Sequence, residues 1–129
     1  ESALVGADGH PPLPLIRMIA PTSPSDRMEK IARNAKGFIY LVSVTGITGE
    51  RKSIAEGLSD LISSVREHAS VPVCVGFGIG TPEQAKEVGQ MADGVIVGTA
   101  CVRTIGSSEN PVETAREFAR QFQEVLSEK

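Results

Sequence analysis

The chain has 129 residues, enough for one domain with a core of its own. Hydrophobic residues make up 40% and charged residues 22%, a globular balance, while a formal net charge of −3, a single Tyr and no Trp argue against nucleic acid as the main partner. No apolar stretch approaches the roughly 20 residues a membrane helix needs, and the first residues lack the basic head and apolar run of a signal peptide; the absence of an initiator Met is expected of a processed or excised piece.

Residues 1–12 are polar, carry Gly and Pro and show no period, which predicts an irregular N-terminal segment. Residues 13–20 (Leu-Pro-Leu-Ile-Arg-Met-Ile-Ala) predict a short strand with Pro14 at its start, where no ladder donor is lost. Ser23-Pro24-Ser25-Asp26 then reads as a helix start, with Ser23 as cap, Pro24 in the first helical position and Asp26 reaching back. Met28, Ile31, Ala32 and Ala35 form its apolar face, and Gly37 stops it. Residues 37–43 (Gly-Phe-Ile-Tyr-Leu-Val-Ser) make a second strand, followed by a donor-rich loop over 44–52 with Gly46 and Gly49.

Ile54, Leu58, Leu61, Ile62 and Val65 recur at helical spacing and predict a helix over 53–69. The third strand, 71–75, ends in the turn Gly76-Phe77-Gly78-Ile79-Gly80. Thr81-Pro82-Glu83-Gln84 repeats the start signal, and the helix buries Ala85, Val88 and Met91. Residues 93–98 (Asp-Gly-Val-Ile-Val-Gly) predict a fourth buried strand, and 99–106 a short helical or looped insert. Asn110-Pro111-Val112-Glu113 opens a last helix that buries Ala115, Phe118, Ala119, Phe122 and Leu126.

The pattern is four consecutive βα units over residues 13–129, an α/β fold with a parallel sheet and right-handed crossovers. Near-continuous apolar strands predict burial on both faces of the sheet. Four units are either a small open sheet or half of a (β/α)8 barrel, and periodicity does not decide between them. A lone half barrel would leave two strand edges and an apolar interior open, so it would need a partner.

Three glycine-bearing turns, at 46–49, 76–80 and 98–99, follow three successive strands and so share the C-terminal edge of the sheet. Bare main-chain amides there suit a phosphate, with the Thr99 hydroxyl and a helix N-terminus adding to the grip. The alternative is a set of tight turns with no ligand. Tyr40 and Phe77 stand at strand ends, where an aromatic ring either walls a flat ligand or packs in the core. Arg51 and Arg103 lie close in sequence to these turns, and both read as solvated surface charges. Cys74 and Cys101 read as small buried core residues, with spacing that fits no metal motif. No pair of strand-end carboxylates and no Ser/His/Asp or Cys/His arrangement stands out; Asp93 begins its strand, at the wrong end, and Glu50 reads as a loop surface residue.

Several of these stretches together resemble the C-terminal half of the tryptophan synthase α chain family: Pro21-Thr22, Tyr40-Leu41-Val42-Ser43, Thr45-Gly46-Ile47-Thr48-Gly49, Gly76-Phe77-Gly78-Ile79 before Thr81-Pro82-Glu83-Gln84, and Asp93-Gly94-Val95-Ile96-Val97-Gly98-Thr99-Ala100. The resemblance runs from about residue 13 to the C-terminus. It implies a (β/α)8 barrel whose fifth to eighth strands are present here. The implied reaction is the retro-aldol cleavage of indole-3-glycerol phosphate to indole and glyceraldehyde 3-phosphate in tryptophan biosynthesis, a lyase activity. It further implies phosphate contacts at Gly49, Gly78, Gly98 and Thr99, an indole flanked by Tyr40 and Phe77, and a lid loop carrying Thr48. The family uses no cofactor of its own, since pyridoxal phosphate belongs to the β chain with which it pairs. A cytoplasmic location is implied, or the plastid stroma in a plant.

Two departures stand out. The family more often has Ser where this chain has Thr99, which keeps the hydroxyl. Its catalytic Glu and Asp lie on and after the second strand, a region to which nothing in residues 1–12 is similar. The isolated chain is therefore expected to bind without turning over. The competing expectations are a non-catalytic half barrel that self-associates and another phosphate-binding α/β enzyme with an open sheet, whose strand order would reverse.

Overall fold

The computed structural model describes residues 15–43, 51–76 and 78–128, and the backbone alone for 51–56. The elements alternate as β1 (Arg17–Ile19), α1 (Ser25–Arg33), β2 (Ile39–Val42), α2 (Arg51–Arg66), β3 (Val73–Gly76), α3 (Pro82–Gly89) and β4 (Gly94–Ile96), followed by two helices, α4 (Thr99–Gly106) and α5 (Pro111–Ser127). The expected 1–12 segment lies outside the described residues. The strands are parallel and stand in sequence order, β1-β2-β3-β4. A doubly wound sheet would reverse its order at a switch point; this one advances in one direction, as a barrel wall does.

Register explains which residues form the core. Ile39 pairs with Val73, and Leu41 with both Ile19 and Val75, so these side chains share one face. All five are fully removed from solvent, and Ala32 and Ala35 from the α1 side, with Ile62 and Val65 of α2, close over them. Met28, Ile31, Leu58 and Leu61 pack at the margin. A second cluster joins Ile79, Ala85 and Phe122 to Val95, Val97 and Phe118, and fastens α3 and α5 over the β4 end of the same face.

The opposite face corrects the expectation of burial on both sides. Met18, Tyr40, Cys74 and Gly94 stand in one lateral row. Met18 is 58% exposed and the other three are half-buried. Strand β4, expected to be buried, is half-buried throughout. Likewise the cysteines are free and half-buried rather than core residues. Apolar composition on both faces says that each face suits an apolar neighbour; among the described residues the helices supply one to a single face only.

The three start signals fare differently. At Thr81 the full capping box forms: the Gln84 N–H donates to Thr81 Oγ1 at 3.3 Å, and Gln84 Oε1 accepts from the Thr81 N–H at 3.2 Å. Before α1, Pro24 itself occupies the cap position, and Ser23 instead turns back on β1, its Oγ accepting from the Ala20 N–H at 3.3 Å. Asn110 precedes α5 without a side-chain cap; Ser108 Oγ takes the Asn110 N–H at 3.0 Å and pairs with Thr114 Oγ1. On α5, Ala119 falls outside the buried stripe and is exposed.

Candidate functional site

The two rims of the sheet differ in how their polar groups are used. At the N-terminal rim, the Val73 N–H donates to Asp93 Oδ2 at 2.9 Å, Arg66 Nη2 donates to Asp93 Oδ1 at 2.6 Å, and the Asp93 N–H returns a bond to the Val73 carbonyl at 3.0 Å. The carboxylate thus stitches α2, β3 and β4 together. It is a structural group at the end away from the glycine turns, as its position at the strand start implies.

At the C-terminal rim the chain opens instead. A hollow of about 420 Å3 is lined by Tyr40, Gly78, Ile79, Gly80, Gly98, Thr99, Ala100 and Arg103. Its size suits a small phosphorylated molecule. Tyr40, Gly78, Gly98 and Thr99, singled out by sequence from three different βα units, come together on it. Gly49, Phe77 and Thr48, the last expected on a lid loop, lie outside the described residues. Ser43 ties the end of β2 to the glycine turn, its N–H and hydroxyl both donating to the Gly76 carbonyl at 3.0 and 3.1 Å.

The glycines serve distinct ends. Gly78 has φ +77°, a left-handed conformation that other residues enter only at a cost, so the turn itself calls for glycine. Gly98 has φ −109°, open to any residue, and a Cβ built there would meet nothing within 4 Å. Neither backbone nor packing explains why a side chain is missing at Gly98. What its absence does is leave main chain bare toward the hollow. Gly98 is the residue before α4, and the first-turn N–H groups of a helix have no intrahelical partner. With the Thr99 hydroxyl they form a donor set at the positive end of the helix dipole. The Gly80 amide differs from the sequence expectation: it donates to Gln84 Oε1 at 2.9 Å and belongs to the α3 cap.

Arg103, read from sequence as a solvated charge, lines the hollow. The available signal was its spacing, four residues after Thr99 and so on the same helix face. Among the described residues no carboxylate or imidazole lines the hollow, which suits an anion. Among the described residues no group of three or more His, Cys, Asp or Glu side chains could hold a metal ion. No helix among them is long and apolar enough to cross a membrane. A second hollow of about 320 Å3 lies among Thr104, Glu113, Thr114, Glu117, Phe118 and Gln121. Two carboxylates make it the wrong sign for phosphate, and Arg116 and Arg120 already pair with them.

Comparison with known proteins agrees with this geometry. The family model for the tryptophan synthase alpha chain matches residues 5–128. The chain is 46% identical over 113 residues to the tryptophan synthase alpha chain of Gloeobacter violaceus, which covers 85% of this chain and 41% of that protein. It is 51% identical over 100 residues to that of Geobacter sp. strain M21, covering 78% of this chain and 38% of the relative. Among solved structures, tryptophan synthase subunit alpha from Campylobacter jejuni superposes with a TM-score of 0.73 at 35% identity, over 80% of this chain and 41% of the other. The chain thus spans about two fifths of the length of the relatives it matches.

Proposed function

The chain belongs to the tryptophan synthase alpha chain family, and from that premise we propose that residues 13–129 are the phosphate- and indole-binding half of a (β/α)8 lyase. Its reaction is the cleavage of indole-3-glycerol phosphate to indole and glyceraldehyde 3-phosphate. The observation that carries this reading is the convergence of Tyr40, Gly78, Gly98 and Thr99 on one hollow at the C-terminal rim, with no carboxylate among its described lining residues. Gly78, Gly98 and Thr99 hold the phosphate through main-chain amides and one hydroxyl, joined by Gly49. Tyr40 and Phe77 flank the indole, and Thr48 closes over the substrate with its loop.

The proton transfers of the retro-aldol step need an acid and a base, and the described residues of the hollow include no carboxylate or imidazole to serve as either. The 129 residues therefore position the ligand without turning it over, and catalysis awaits the Glu and Asp of the family's N-terminal half. No cofactor is assigned to this chain; pyridoxal phosphate goes with the β chain, its proposed partner. The proposed setting is the cytoplasm, or the plastid stroma in a plant. A second reading, a half barrel that self-associates, is favoured by the uncovered sheet face carrying Met18.

Gly98 supplies the test. Calorimetric titration with glycerol 3-phosphate should show binding to the parent chain and a loss of tenfold or more in Gly98→Val, with a thermal midpoint close to the parent's because a Cβ at this position meets nothing within 4 Å. Equal binding by parent and variant would refute the site. Under the lyase reading, indole release appears only when an N-terminal half is added. Association without any dependence on phosphate or on that half would favour the second reading.

A further inference from the structure

We propose that Arg103 is a further binding residue of this hollow, one that selects a phosphate dianion over a singly charged ester. The proposal rests on the phosphate reading above and adds to it a residue and a charge preference. Helical side chains lean toward the N-terminus of their helix, so Arg103 inclines back over the turn begun by Thr99, toward the mouth of the hollow. The guanidinium then stands on the same side as the bare amides of that turn, and its five donors suit phosphate oxygens.

Its charge is also uncommitted. Arg33, Arg66, Arg116 and Arg120 each hold a carboxylate within 2.5–2.8 Å. Arg103 has no such partner among the described residues, and α4 has no acid in its first turn. A chain of net charge −3 thus places Arg103 at a hollow lined by no acid among the described residues. Main-chain amides recognise any oxyanion, whereas a fixed cation favours the species with the larger charge. Exposure of Arg103 keeps the effect modest.

The test compares glycerol 3-phosphate with its methyl diester, which carries one negative charge, by calorimetry on the full chain at pH 8. The parent should favour the dianion. Arg103→Gln should weaken dianion binding about fivefold to tenfold and the diester less than twofold, and Arg103→Lys should restore most of the preference. Raising salt should shrink the parent's preference and leave that of Arg103→Gln unchanged. Unaltered dianion binding in Arg103→Gln, with Gly98→Val still blocked, would overturn the role of Arg103 and leave the hollow standing. Equal weakening of both ligands would overturn the charge selection, and a parent chain that binds neither would overturn the phosphate reading itself.

Discussion

The two faces of the sheet draw on one vocabulary of apolar side chains and come to opposite ends. Leu41 is flanked by Ile19 and Val75 beneath α1 and α2 and is fully buried, whereas Met18, one residue before Ile19 in the same strand, is 58% exposed. The difference lies in what stands opposite each face, which the residues of a strand do not themselves encode. Stability therefore resides on the covered face.

Leu41→Ala tests this most severely. A fully buried leucine cut to alanine should cost about 2–5 kcal/mol, while Met18→Ala on the open face should stay within about 0.5 kcal/mol, both read from denaturant midpoints. Comparable losses at the two sites would erase the distinction between the faces. An intermediate effect is expected at Gly76. A Cβ built there would lie 2.6 Å from Tyr40 Cζ, so the open face is tightly packed at this point. Gly76→Ala should cost about 1–3 kcal/mol, and combining it with Tyr40→Ala should recover part of the loss, a coupling that a double-mutant cycle measures directly.

The smallest effect concerns Cys74, in the row beside Tyr40. Burial raises its thiol pKa above the ordinary value, and the Asp93 charge adds to the shift. The folded state then holds the thiol proton more tightly than the unfolded chain does. This contribution is fully present below the unfolded thiol pKa and is lost as pH rises through the folded one. Thermal midpoints should thus fall slightly above about pH 8.5, and Cys74→Ala should flatten that fall.

Much of this was readable from residues. The alternation of elements followed from strands ending in glycine turns and helices opening on Pro, and the stripe of Leu58, Leu61, Ile62 and Val65 placed α2 on the core. Gly78, Gly98 and Thr99 could be grouped because a parallel sheet brings successive strand ends to one edge. What escaped were facts of tertiary partnership. Ser23 and Asn110 have the right chemistry for capping, yet the Ala20 amide and the Ser108–Thr114 pair engage the local donors and acceptors instead. Arg103 resembled any surface arginine because its place on the hollow is visible only once the helices are docked. The open face matches the apolar interior expected of a lone half barrel, whereas burial on both faces did not follow, because a strand suited to apolar neighbours on both sides has the same composition whether or not both neighbours are present.

Each strand pairs with the strand next in sequence: Arg17 with Ile39, Ile39 with Val73, Cys74 with Gly94. Every pairing closes a loop of a single βα unit, so the entropy of bringing ends together is met in small, similar steps. Folding is then expected to grow outward from a central nucleus, with β2 and β3 joined first. In hydrogen exchange, amides of those two inner strands should be the last to open, and the flanking strands should fray before them.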